Sequence, residues 1–245
     1  MASHMTETQK IEWKRVGIEA TAIVASILLA FSIQAWWDNL QAREAEQIAL
    51  LSLLDDFESS RIELTDRIQS VQGSRTRFLA FESASLENLG ALPQSVSEQM
   101  LSSISTGGTF DAYLGTLDAI AADGRLALIR DDSIRRLLSK WTKAMKDIEE
   151  DNMAVRSGAI RVRTKMEPYG GPFFTGFIGE SGPPASNIFP RANGSVVAKL
   201  RSDASFVSTV RSHQFSMSLY LMELEKASEI VDELVRLLKQ NSELP

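Results

Sequence analysis

The sequence predicts an all-α protein: an N-terminal transmembrane helix continuing into an elongated antiparallel helical bundle with coiled-coil-like packing. Three observations carry this. Residues 16–37 form one apolar run of membrane-crossing length, three later segments repeat apolar residues by steps of three and four, and no segment of strand period competes with them.

The chain opens "MASHM", which reads as a cloning scar over residues 1–4 followed by a native start at Met5. Residues 5–15 then make a short cytoplasmic tail, and His213 becomes the only native histidine. The next stretch, "VGIEATAIVASILLAFSIQAWWD", carries one acid, Glu19, within residues 16–37. A helix rises about 1.5 Å per residue, so roughly 20 residues cross a hydrocarbon core of about 30 Å. Glu19 lies near one end of the span, four residues after Arg15, where it can pair or reach the headgroups, so its insertion penalty is far below that of a central acid. A cleaved signal peptide would end in small residues, whereas this run ends in Trp36 and Trp37, a pair suited to anchor the span at the interface. Lys10, Lys14 and Arg15 precede the span, and only Arg43 follows it closely. The positive-inside rule therefore puts the N-terminus in the cytoplasm and residues 38–245 in the periplasm or outside the cell, on a single-pass protein of the cell (inner) membrane.

Ala22, Ser26 and Ala30 recur every four residues and share one helix face, which Gln34 continues. Small residues at this spacing let two spans approach closely, and a carboxamide can hydrogen-bond across the pair. Self-association of the span is the expectation.

The stretch "IEATAIVASILLAFSIQAWWD" resembles the N-terminal membrane segment of an uncharacterised family of bacterial single-span proteins, a domain of unknown function. Glu19 matches that family's glutamate, "ILLAFSIQAW" the second half of its span, and Trp36 its tryptophan. Further on, "LDAIAADGRLALIRDDSIRRLLSKW" is similar to a second pattern of the family, with Gly124, Leu126, Ile129, Arg135 or Arg136, Leu138 and Trp141 at comparable places. Asp123, Asp131 and Trp141 stand where the family has serine, asparagine and tyrosine. The resemblance implies a membrane-anchored helical protein with an extracytoplasmic body, and it implies no activity.

Within the body, Leu50, Leu54, Phe57, Arg61, Leu64, Ile68, Val71, Arg75 and Phe78 trace a first seam that continues the span, with Arg61 and Arg75 interrupting it and Ile48, Leu51 and Ile62 widening its stripe. Ile134, Leu138, Trp141, Met145, Ile148, Asn152, Val155, Ala159, Val162 and Met166 trace a second, opened by "RDDS", whose aspartate and serine suit a helix cap. Phe206, Val210, His213, Met217, Tyr220, Leu224, Ala227, Val231, Leu234 and Leu238 trace a third. Two shorter helices are expected near residues 94–105 and 111–123.

Residues 168–194, "PYGGPFFTGFIGESGPPASNIFPRANG", hold five of the seven prolines and read as a long structureless loop. Its aromatic residues, Tyr169, Phe173, Phe174, Phe177 and Phe189, argue against disorder and for a lid on the open end of the bundle or for contact with a membrane or partner. If the two short helices form a returning hairpin, the second long helix runs back toward the bilayer and this loop lies beside Trp36 and Trp37.

Much chemistry is excluded. The formal charge of -6 and the lack of a basic stripe argue against nucleic acid. With no cysteine, thiol catalysis and thiolate metal sites are ruled out, and a single native histidine leaves no conventional metal set or catalytic triad. No catalytic residue, cofactor or metal is expected, and the chain does not read as an enzyme. His213 reads as a buried histidine satisfied by a neighbour, and Asn152 as a polar core residue that sets register. The leading function is a membrane-anchored, self-associating interaction or assembly protein, whose partners are the lipid bilayer, further copies of itself and an unidentified membrane or extracytoplasmic protein. The alternatives are a homo-oligomeric pore or channel lined by Glu19, Ser26 or Gln34, and an extracytoplasmic sensor, which with so short a cytoplasmic tail would signal through a partner.

Overall fold

A computed structural model describes residues 13–107, 110–171 and 192–242, and among these every regular element is helical. The fold is all-α, as the periodicity predicts. Helix α1 is Trp13–Ser83, followed by α2 (Leu86–Gly90), α3 (Gln94–Ile104), α4 (Gly115–Ala122), a 3-10 turn at Arg125–Leu128, α5 (Asp132–Met166), a 3-10 turn at Glu167–Tyr169, α6 (Gly194–Ser202) and α7 (Ala204–Ser242). By packing the chain divides into two compact units, Met1–Ala49 and Leu50–Pro245.

In the first unit α1 contains an 18-residue window of mean hydropathy 1.6, none of it buried. This segment is long and apolar enough to cross a membrane.

The second unit is built on the C-terminal part of α1 together with α5 and α7. All ten residues of the third predicted seam are buried on α7, from Phe206 to Leu238. The second seam is buried on α5 with one exception, where Ala144 takes the core position and Met145 stays half-exposed. The first seam is corrected by one residue at alternate positions. The buried row on α1 is Leu50, Leu53, Phe57, Ser60, Leu64, Val71, Ser74, Phe78 and Phe81, so Ser60 and Ser74 occupy places expected for Arg61 and Arg75. Leu54 and Ile68 only flank the core, and Ile48, Leu51 and Ile62 are exposed rather than part of a wider stripe. The serines fit because each meets backbone of the chain that follows α1: Ser60 Oγ accepts from Tyr113 N at 3.0 Å, outside any helix, and Ser74 Oγ donates to Ser103 O, in the last turn of α3, at 2.7 Å. An arginine side chain could not lie in so close an approach.

Phe57 meets Trp141 edge to face at 5.4 Å, while Phe78 and Phe81 pack with Val162 and Met166, so α5 runs parallel to α1. Lys239 pairs with Glu58 and Arg211 with Glu82, so α7 runs antiparallel to α1. Among the described residues the two short helices do not form the expected returning hairpin. Helices α2 and α3 stay at the end where α1 finishes, and a strap outside any helix, residues 105–107 and 110–114, carries the chain back along the bundle. Helix α4 is accordingly shorter than the expected 111–123.

This topology places the two flanks of the aromatic loop. These flanks, Tyr169 and Ala192, pack in the same cluster as Phe78 and Phe81, at the end where α1 finishes. Within the second unit they do not lie at the Leu50 end, where the expected hairpin would have put them, and residues 172–191 of the loop itself lie outside the described residues. The expected structureless stretch is also trimmed at both ends, by the 3-10 turn at Glu167–Tyr169 and by α6, which Asn193 caps through its side chain to Val196 N at 3.2 Å.

Candidate functional site

Two regions gather the residues that the sequence singles out, the face of the span and the strap over the bundle core. On the span, Ala22, Ser26, Ala30 and Gln34 are exposed along α1. Ser26 Oγ donates to Ala22 O at 2.8 Å, and Thr21 and Ser32 make the same four-residue return to Gly17 O and Leu28 O. The hydroxyls are thus satisfied inside their own helix, which leaves a smooth face of small side chains. Gln34 Nε2 donates to Asp38 Oδ1 at 2.9 Å, so its carboxamide is engaged along the helix rather than standing free for a neighbour. Trp36 and Trp37 are both exposed, with ring centroids 6.4 Å apart. Glu19 is exposed and has an interaction partner. The Arg15 side chain expected to pair with it lies outside the described residues.

In the aromatic loop, Phe173, Phe174, Phe177 and Phe189 lie outside the described residues. Tyr169 is described: its hydroxyl donates to Asp203 Oδ2 at 3.1 Å, tying the end of α5 to the start of α7. Asp203 also caps α7, accepting from Ser205 N and Phe206 N.

The strap is held by side chains from all three long helices. Arg163 Nε donates to Ser105 O at 3.1 Å, Asn152 Nδ2 to Phe110 O at 3.4 Å, and Thr116 N, just beyond the strap, donates to Asp56 Oδ2 at 2.9 Å. Phe110 is the apolar peg, buried with its ring centroid 6.5 Å from that of Trp141. His213 lies fully buried beneath the strap, with Nε2 2.8 Å from Thr106 O. A carbonyl can only accept, so Nε2 carries the proton and Nδ1 is left with a lone pair. No donor reaches Nδ1 among the described residues. Burial pushes the His213 pKa down; the Thr106 bond opposes this, and the guanidiniums of Arg161 and Arg163 add to the lowering.

Gly158 explains how an imidazole fits here. A Cβ at that position would stand 2.5 Å from His213 Nδ1, so the helix approaches the ring only because the residue is glycine. Gly107 makes a similar approach on the strap, where a Cβ would lie 2.7 Å from Ala159 Cβ.

The core near the strap holds several polar groups. Asn152 Oδ1, Tyr220 OH and Trp141 Nε1 are buried without a hydrogen-bond partner among the described residues. Burial pushes the Tyr220 pKa up to about 12, so the phenol stays protonated. Asn152 and His213 are thus buried as the heptads predict, and the strap that they hold was not foreseen. Its signal was weak, since neither residues 105–107 nor 110–114 follow a helical or strand period.

Among the described residues, no group of three or more His, Cys, Asp or Glu side chains is placed to hold a metal ion. No family model, no curated protein and no solved structure matches the chain.

Proposed function

We propose that the chain is a membrane-anchored helical interaction and assembly protein, held by one span with its N-terminus in the cytoplasm and its bundle outside. Copies associate through Ala22, Ser26 and Ala30. The observation that carries this reading is the smooth exposed face of the span, on which the Ser26 hydroxyl is returned to the Ala22 carbonyl at 2.8 Å, so that backbones can close up without an orphaned donor. The family that the span resembles has the same single-span plan.

A pore is the weaker reading, because Ser26 and Gln34 both spend their polar groups within their own helix and offer little to line a path. Mass measurement of the detergent-solubilised particle tests the proposal. A dimer or larger closed assembly is expected. A monomer at all protein-to-detergent ratios would end the self-association reading, and a conducting ring of several copies would replace it with the pore.

A further inference from the structure

We propose that the groove between α1 and α7 at Arg75 binds a small carboxylate carrying a compact apolar group. The inference goes beyond the assembly role and starts from a repeating pattern. Helices α1 and α7 are joined along their shared edge by polar pairs: Glu58 with Lys239 at 2.7 Å, Arg61 with Asp232 at 3.9 Å, Gln72 with Glu225 at 3.5 Å and Glu82 with Arg211 at 2.5 Å. In an antiparallel heptad pair, advancing two heptads on one helix retreats two heptads on the other. Arg61 meets the carboxylate of Asp232, so Arg75, fourteen residues on, belongs opposite residue 218, fourteen residues back. That residue is Ser218.

The cation of this rung is present and its carboxylate is not. Among the described residues no acidic side chain pairs with Arg75, and the Ser218 hydroxyl is turned back to Gln214 O at 2.9 Å. Where the aspartate would stand there is instead a groove of about 310 Å³, lined by Arg75, Phe78, Leu79, Gln214, Phe215 and Ser218, together with the Glu82–Arg211 pair.

Two further features define the occupant. Gln214 lines the groove at 6% exposure, and its Nε2 has no acceptor among the described residues. A carboxylate would accept from the guanidinium in the charge-assisted geometry that the other rungs already use, and a rotation of the Gln214 side chain would bring its buried, unpartnered amide to the second oxygen. The walls are apolar: Leu79 and Phe215 are 53% and 66% exposed, far more than side chains of their size in the core. An anion bearing a compact apolar group covers them, and a groove of this volume suits a small molecule.

The test uses the full chain in lipid nanodiscs, with phenylacetate as probe and ligand-observed saturation-transfer NMR as readout, corrected for empty nanodiscs. Phenylacetate is expected to bind, its neutral amide phenylacetamide and inorganic phosphate at least about tenfold more weakly. Arg75→Gln is expected to weaken phenylacetate by at least about tenfold. Ser218→Asp supplies the missing carboxylate from the protein itself, so it is expected to remove binding without lowering Tm, which separates loss of the site from loss of the fold. Failure of phenylacetate to bind at millimolar concentration overturns the proposal. So does equal binding of phenylacetamide or phosphate, or undiminished binding in Ser218→Asp. None of these results bears on association through the span.

Discussion

His213 and Thr106 are joined across 107 residues of sequence by one hydrogen bond of 2.8 Å, the imidazole Nε2–H donating to the strap carbonyl from within the core. The same ring presents its bare Nδ1 to Gly158. One side chain therefore clamps the strap to α7 and sets how closely α5 can approach.

Acid should loosen this clamp. Burial holds the His213 pKa below its ordinary value in the folded chain, whereas the unfolded chain takes up the proton near pH 6.5. Between those two values the unfolded state binds more protons, so stability falls as pH drops below about 6.5 and stops falling below the folded pKa. His213→Gln is expected to remove this component. Thermal melts at about pH 7.5 and about pH 5 check it: the wild-type loss of Tm between the two should exceed that of the variant. Equal losses would show that other groups carry the acid sensitivity.

Gly158→Ala is expected to destabilise by about 1–3 kcal/mol, because the new methyl enters the space of the imidazole. His213→Ala opens that space, so the double variant should be more stable than the sum of the two single losses implies. Denaturant titrations of the four proteins measure the coupling, and strict additivity would contradict the contact.

Asp131 caps α5 by accepting from Ser133 N at 2.7 Å and Ile134 N at 3.3 Å. Partial burial pulls its carboxyl up, but these two donors and Asn241 outweigh it and leave the pKa below the ordinary aspartate value. Asp131→Ala is expected to lose about 0.5–2 kcal/mol near neutral pH. A depressed folded pKa confers stability above the unfolded value of about 3.9 that is lost as pH falls through the folded one. The gap between wild type and variant should therefore close in strong acid, which denaturation at a series of pH values will read.

Ser26→Leu is expected to weaken association of the isolated span, since a large side chain separates the two backbones, whereas Ala25→Leu lies off the face and should change little. A two-hybrid membrane assay or energy transfer between labelled spans distinguishes the two. Equal effects would place the contact elsewhere on the helix.

Long apolar periods were legible from sequence because helix and core agree over many turns. On α7 nothing competes with the row from Phe206 to Leu238. On α1 the residues Leu50, Leu51, Leu53 and Leu54 offer two overlapping rows, and periodicity alone cannot choose between them. What decides is the pair Ser60 and Ser74, set fourteen residues apart, whose small hydroxyls bond to backbone at Tyr113 on the strap and at Ser103 in the last turn of α3. The strap obeys no period, so neither it nor the parallel course of α5 could be read in advance. His213 and Asn152 were found because they break apolar rows, and Tyr220 went unremarked as a polar group because an aromatic residue does not.

The shared edge of α1 and α7 also has a mechanical consequence. Helix α1 enters the bundle at Leu50, and α7 finishes beside Glu58, so both ends of this pair lie together. Tension between residue 50 and the C-terminus would peel the pair apart, loading Glu58–Lys239 first, then Arg61–Asp232, and each later rung in turn. Tension between residue 50 and Ala204, where α7 begins at the other end, would load the rungs together in shear. Rupture under force follows the unfolding barrier rather than equilibrium stability. The same bundle should thus yield at low force when pulled through its terminus and resist when pulled through its far end.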